Sequence, residues 1–200
     1  MKINPREITN YNRTTEELEF FLLFCIVVAG KKSDIQARKL AEWYNTPEQS
    51  YTQDSPFEYI ERLDADGELR NSLEKVKMGQ YNRLVCSFQD VIGMGGRGRM
   101  NLRKCSIQDL CLIRGVKLKT SNFFLTHSRE DYNVPVLDTH VLKFLKAEGI
   151  KNVPKSTPQD EKLYNSLAKQ FTTIAKRRRM SVADLDLQVW KQYSKSTIKA

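Results

Sequence analysis

Cysteine is scarce, and what there is does not form a pattern. Cys25, Cys86, Cys105 and Cys111 contain no CxxC pair, and the chain has only two histidines, His127 and His140. That spacing is too scattered for a disulfide framework. It also argues against a structural zinc site or a cysteine-ligated iron–sulfur cluster. A reducing, intracellular compartment follows. No apolar run approaches the ~20 residues that a membrane helix requires. The longest, Phe20 to Gly30, is short and preceded by acids, and the N-terminus lacks the basic-then-apolar order of a secretion signal. A cytoplasmic protein with no membrane partner is expected. Convincing strand pairs and internal repeats are missing as well.

The positive signals begin with charge. Among 200 residues, 33 are Lys or Arg and 24 are Asp or Glu, a net charge of +9. The two halves differ: residues 1–100 have a net charge of −1 and residues 101–200 a net of +10. Ala41 to Glu68 holds eight acids and one base, whereas Arg97 to Arg129 holds eight bases and one acid. A concentrated basic face points to a polyanion such as nucleic acid; a basic protein without such a partner is the plainer alternative.

Hydrophobic spacing is helical throughout, so the expected fold class is all-α: two interleaved lobes with a cleft between them. Thr14 with Glu17 forms a capping box opening an apolar helix that stops at Gly30. Ser33 with Gln36 repeats the cap, with Ile35, Leu40 and Trp43 on one face of the second helix. Further helices are expected near 56–64, 67–78 and 81–92. Gly93 to Arg99 then breaks the pattern as a flexible basic loop. Its Arg97 and Arg99 suit phosphate or groove contacts, and a plain surface loop fits equally. Ser106 restarts a short helix, and another covers about 118–127. Residues 128–137 connect to a helix over about 138–148, ended by Gly149. Thr157-Pro158 opens a long helix, and Ser181 with Asp184 caps the last. The acidic segment 41–80 and the basic segment 97–150 could form separate lobes of a single domain spanning 1–200.

The segment 106–127 reads as helix, tight turn, helix. Such a hairpin exposes backbone amides at the start of its second helix, and those amides bind a phosphate. Gly115, Val116, Lys117, Leu118 and Thr120 belong to that turn and helix start, and Arg114, Lys117 and Lys119 add charge. An ordinary helical corner with solvated lysines has the same spacing. Asp138 opens the later helix, where an N-cap role is the simplest reading. His140 reads as structural, and His127 as a helix-dipole partner. Phe123, Phe124 and Phe144 read as core. Trp43, Trp190, Tyr193 and Tyr132 are candidate pocket walls.

The run Ile113-Arg114-Gly115-Val116-Lys117-Leu118-Lys119-Thr120-Ser121-Asn122 resembles the helix-hairpin-helix element of the endonuclease III class of DNA glycosylases. In that family a Leu-Pro-Gly-Val-Gly turn precedes a catalytic lysine in a Lys-Thr-Ala-Asn run. Nineteen residues after Lys119, Val136-Leu137-Asp138-Thr139-His140 resembles the Val-Asp-Thr-His segment that holds the family's catalytic aspartate. Weaker similarity covers 18–44. Lys117 replaces the second glycine of the hairpin, and the four-cysteine iron–sulfur loop is missing. The resemblance is therefore nearer the cluster-free members, such as the oxoguanine glycosylases.

The resemblance implies a DNA glycosylase with lyase activity. Lys119 would be the nucleophile, with burial lowering its basicity, and Asp138 its electrostatic partner. The partner would be double-stranded DNA carrying an extruded modified base. Lys31 and Lys32 would be DNA contacts. A monomer associated with the nucleoid is implied, with no metal or organic cofactor beyond a monovalent cation at the hairpin carbonyls. An enzyme acting on hypermodified thymine, or a non-catalytic DNA-binding module, would use the same parts.

Overall fold

The computed structural model describes residues 1–93 and 100–195. Among them are eleven α-helices, one 3-10 turn at Pro5–Glu7 and no strand. The glycine-rich stretch with Arg97 and Arg99 lies outside the described residues. The all-α expectation holds.

Local chemistry sets the helix starts. Thr14 opens α1 (Thr15–Val27) with the expected capping box to Glu17. From Phe20 to Val27 every side chain is buried. An apolar surface all round makes α1 a central helix rather than an amphipathic one. Each such side chain stabilises the fold by about 1.5–3 kcal/mol.

α2 (Ser33–Tyr44) starts one residue earlier than expected. Its N-cap is Lys32, which has no side-chain acceptor, and Ser33 is already helical. Ile35 is exposed, and the buried face is instead Gln36, Ala37, Leu40, Trp43 and Tyr44. The short α3 (Pro47–Thr52) has no counterpart in the sequence reading; Thr46 caps it, with proline in its first turn. Ser55 opens α4 (Pro56–Ala65) with a second capping box. Glu19 of α1 is buried and accepts the Phe57 amide at 3.1 Å, placing an anion at the start of that helix. α5 (Leu69–Lys75) and α6 (Tyr81–Gly93) follow.

α7 (Ile107–Cys111) and α8 (Leu118–Ser128) form the hairpin. α9 (Thr139–Ala147) is capped by Asp138. α10 (Glu161–Arg177) starts at Asp160, not at Thr157-Pro158, because the Asp160 carboxylate accepts the Leu163 amide at 2.7 Å. α11 (Val182–Lys195) begins with Ser181 accepting the Asp184 amide at 3.0 Å.

The chain divides into two compact units. One comprises Met1–Pro5 with Asn12–Ser121; the other comprises Arg6–Tyr11 with residues 122 onward. The lobes are thus interleaved, as expected. They do not separate acidic from basic sequence, however: the hairpin lies in the same unit as the acidic 41–68 segment. The boundary falls inside α8, after Ser121, because a continuous helix carries the chain from one unit into the next.

In the first unit α2, α4 and α6 pack on α1, and Trp43 stands between Tyr59 and Phe88 at centroid distances of 4.8 and 5.6 Å. Trp43 is therefore core, not a pocket wall; its indole donates to Ser72 at 2.9 Å. In the second unit α11 packs on α9 and α10. Phe124 and Phe144 are buried there, as expected, while Phe123 is half-buried against His127. No helix among the described residues is long and apolar enough to cross a membrane.

Candidate functional site

The hairpin is built by three apolar anchors. Leu110, Ile113 and Val116 are buried, and the side chains between them face out. Ser106 and Asp109 form a capping box at the start of α7. The turn closes when the Val116 amide donates to the Ile113 carbonyl at 3.0 Å. Gly115 sits in that turn at φ +81°, a conformation glycine adopts without the penalty a Cβ would bring. The second glycine of the family pattern is not needed for this closure, since no positive φ occurs at Lys117.

Lys117 stands immediately before α8, and its carbonyl accepts the Ser121 amide at 3.0 Å. Its side chain carries no oxygen. Among the described residues, the amides of Leu118, Lys119 and Thr120 have no side-chain cap like those that Thr14, Ser55 and Ser106 provide at their own helices. Lysine is also the wrong charge for the positive end of a helix, unless an anion sits there. Val116 and Thr120 are buried, so neither side chain is available to a ligand.

The back of the turn rests on α6. Asp90 accepts the Arg114 amide at 2.7 Å and binds its guanidinium through Nε and Nη2, both at 2.8 Å. Ser87 donates to the Arg114 carbonyl at 2.6 Å. Arg114, expected as a phosphate contact, is thus held by a carboxylate of its own chain. The pairing keeps the Asp90 carboxyl below its ordinary range.

Lys119 lies in the first turn of α8. It is exposed, and among the described residues its amine makes no hydrogen bond or ion pair. The expected burial is not found: Lys119 lies on the outward side of this turn, while Thr120 and Ser121 beside it are buried. Lys31 and Lys32 are also exposed, in the α1–α2 turn of the same unit.

Asp138 belongs to the other unit. The connector leading to it has no regular secondary structure, and side chains hold it. Thr126 donates to the Val134 carbonyl. Tyr164 donates to the Pro135 carbonyl at 3.0 Å and accepts the Leu137 amide at 3.3 Å. Asp186 accepts the Val136 amide at 3.1 Å, and Thr157 donates to the Leu137 carbonyl at 2.7 Å. Asn122 donates to the Tyr164 hydroxyl at 2.8 Å and accepts from Tyr132. Burial pushes the Tyr164 hydroxyl far above its ordinary pKa, so it stays a neutral donor.

This strap delivers Asp138 to the start of α9. One oxygen, Oδ1, accepts the His140 and Val141 amides at 2.8 and 2.9 Å. The other, Oδ2, accepts no hydrogen bond among the described residues. The capping role expected for Asp138 is real and occupies only half of the carboxylate. His140 follows on α9, half-buried.

His127 is more than a dipole partner. It is buried, with Nδ1 2.8 Å from the Thr9 hydroxyl and Nε2 3.4 Å from Asp186 Oδ2. Burial pushes the Asp186 carboxyl up, the His127 contact opposes this, and the charge of Asp138 adds to the rise.

No protein-family model matches the sequence. Solved structures do match. The 8-oxoguanine DNA glycosylase of Thermotoga maritima superposes with a TM-score of 0.66 at 19% identity, over 93% of this chain and 85% of that one. The 8-oxoguanine glycosylase/lyase of Methanocaldococcus jannaschii, in complex with a 15mer DNA containing 8-oxoguanine, gives 0.65 at 18% identity over 96% and 87%. The 8-oxoguanine DNA glycosylase structure from the same organism gives 0.66 at 18% over 95% and 84%. The chain has the 8-oxoguanine DNA glycosylase fold.

On the glycosylase fold, Gly115, Lys117, Leu118, Lys119, Lys31 and Lys32 fall in one unit and Asp138 in the other. Three groups were not anticipated from sequence. Ser87 and Asp90 support the turn from α6. Asn122 and Tyr164 hold the strap, and Asp186 ties it to α11. Asp186 carried a legible signal: it is an acid on the apolar face formed by Val182, Leu185 and Val189. Tyr164 carried none, since its apolar-face position looks like ordinary core. Among the candidate pocket walls, Tyr132 is half-buried and hydrogen-bonded to Asn122, and Trp190 and Tyr193 are half-buried. No group of His, Cys, Asp or Glu among the described residues is arranged to hold a metal ion.

Proposed function

We propose that this protein is a DNA glycosylase with an associated lyase activity, with Lys119 as its nucleophile. The observation that carries the reading is the state of Lys119. On a fold shared with DNA glycosylases, it stands in the first turn after the hairpin with its amine uncommitted. Asp138, with Oδ2 unused, is its electrostatic partner.

Double-stranded DNA is gripped by the uncapped amides of α8, and the target base is extruded from the stack. The Lys119 amine, once it has given up a proton to solvent, attacks C1′ of the deoxyribose. The new N–C1′ bond forms as the bond to the base breaks, and the base departs with a proton. Asp138 stabilises the positive charge that develops on the sugar. Opening of the C1′–O4′ bond then gives the Schiff base. Loss of a C2′ proton breaks the C3′–O3′ bond and nicks the strand by β-elimination.

The substrate class favoured is an oxidised purine, because each of the similar structures is named for 8-oxoguanine. A monovalent cation, if bound at the hairpin carbonyls, serves structure only. The carbonyls of Ile113 and Arg114 already accept from the Val116 amide and Ser87, which leaves each one lone pair for it.

The test is borohydride trapping on duplexes carrying an abasic site or 8-oxoguanine. A covalent adduct is expected with wild type and none with Lys119→Ala, which keeps its unfolding free energy within about 0.5 kcal/mol because the side chain is exposed and unbonded. Absence of any adduct on the abasic duplex refutes the lysine chemistry.

A further inference from the structure

α6 meets the hairpin with one face, Arg83, Ser87 and Asp90, at the i, i+4, i+7 spacing that places three side chains in a row. Ser87 and Asp90 hold Arg114. Arg83 lies directly against Gly115: a Cβ there would be 3.1 Å from its Cγ and 3.4 Å from its Nη1. Its Nε donates to Gln80 at 2.8 Å and its Nη2 to the Ile26 carbonyl, at the end of α1, at 3.1 Å. Its Nη1 is buried with no hydrogen-bond partner, and none of the ion pairs among the described residues involves it. Both of its acceptors are neutral.

A half-buried guanidinium without a counter-ion is costly to the free protein. A simple tie between α1 and α6 needs no full charge. Burial lowers the Arg83 pKa, with no anion acting to raise it. The missing counter-charge has an obvious source on the other side of the Gly115 turn, where the uncapped amides of α8 begin.

Resting on the function proposed above, we infer that Arg83 is a positioning residue for phosphate binding at the hairpin. It acts through the Gly115 backbone and by its charge, which a DNA phosphate on the far side of the turn offsets.

The test compares Arg83→Gln and Arg83→Lys with wild type in thermal unfolding and in binding to a duplex carrying a tetrahydrofuran abasic-site analogue, across a salt series. Arg83→Gln is expected to unfold no earlier than wild type, yet to bind about three- to tenfold more weakly at low salt. The deficit should shrink as salt screens it. Arg83→Lys, which keeps the charge, should retain most of the affinity. Equal binding by Arg83→Gln overturns the inference. So does a variant that fails to fold or loses affinity equally at all salt concentrations, because the cation then serves the free protein. Wild-type protein that binds no duplex overturns the proposed function and leaves Arg83 no site to serve.

Discussion

Asp138 caps α9 and, in the proposed mechanism, also stabilises charge on the sugar, and two substitutions distinguish the two roles. Its Oδ1 caps α9 through the His140 and Val141 amides, while Oδ2 is uncommitted. Asparagine keeps an oxygen in the capping position and is as good an N-cap as aspartate. Asp138→Asn should therefore leave the unfolding free energy within about 0.5 kcal/mol of wild type. Alanine removes the cap and costs about 1 kcal/mol. In a chain of this size that lowers Tm by about 2–4 °C. Catalysis should respond differently. Both substitutions remove the negative charge that, in the proposed mechanism, stabilises the positive charge developing on the sugar. A preorganised electrostatic group of this kind contributes about 10²–10³ in rate, or roughly 2.7–4 kcal/mol. Single-turnover excision and borohydride trapping should thus fall by that factor in both variants, while thermal unfolding separates them. An Asp138→Asn protein that reacts at the wild-type rate refutes the reasoning and reduces Asp138 to a helix cap.

Tyr164→Phe leaves the Asn122 amide, the Leu137 amide and the Pro135 carbonyl without their shared partner in a buried setting. It should cost about 2 kcal/mol or more by urea denaturation, and it should slow trapping beyond any loss of DNA affinity, because the strap carrying Asp138 loosens. Asp90→Asn removes a carboxylate whose pKa is depressed from 3.8 by hydrogen bonds and charge from Arg114. The stability this group contributes is present above its unfolded pKa and is lost as pH falls through the lower folded value. The variant should therefore be less stable than wild type at neutral pH and match it in strong acid, as followed by thermal unfolding across pH. Gly115→Ala forces a Cβ into φ +81° and within 3.1 Å of the Arg83 side chain. It should lose about 1–2 kcal/mol from the backbone conformation alone and weaken duplex binding in a gel-shift or anisotropy assay.

Helix starts were the most legible feature of this chain, because a cap is a local event. Thr14, Ser55, Ser106 and Ser181 each satisfy amides within three residues, so their roles follow from neighbours in sequence. The two misplaced starts show the limit. Ser33 and Thr157 are good cap residues, but Lys32 and Asp160 hold those positions. Tertiary packing chose the register in α2: the buried face runs through Gln36, Ala37, Leu40 and Trp43, which turns Ile35 to solvent.

By itself the sequence determined the helical class, the hairpin with Gly115 in its turn, and the capping position of Asp138. These depend on spacing and on local backbone preference, which short segments encode. Only the tertiary structure decided how those residues are held. Arg83 and Gly115, or Asp186 and Val136, are far apart along the chain, and no periodicity links them. The strap before Asp138 has no regular backbone partner, so its geometry comes from side chains on three helices and the loop before α10, which meet only when the second unit packs. Tyr164 looks like any core aromatic in sequence. Its hydroxyl acquires a role because folding brings Asn122, Pro135 and Leu137 to one oxygen, where leaving them unpaired would cost more than the single bond each makes.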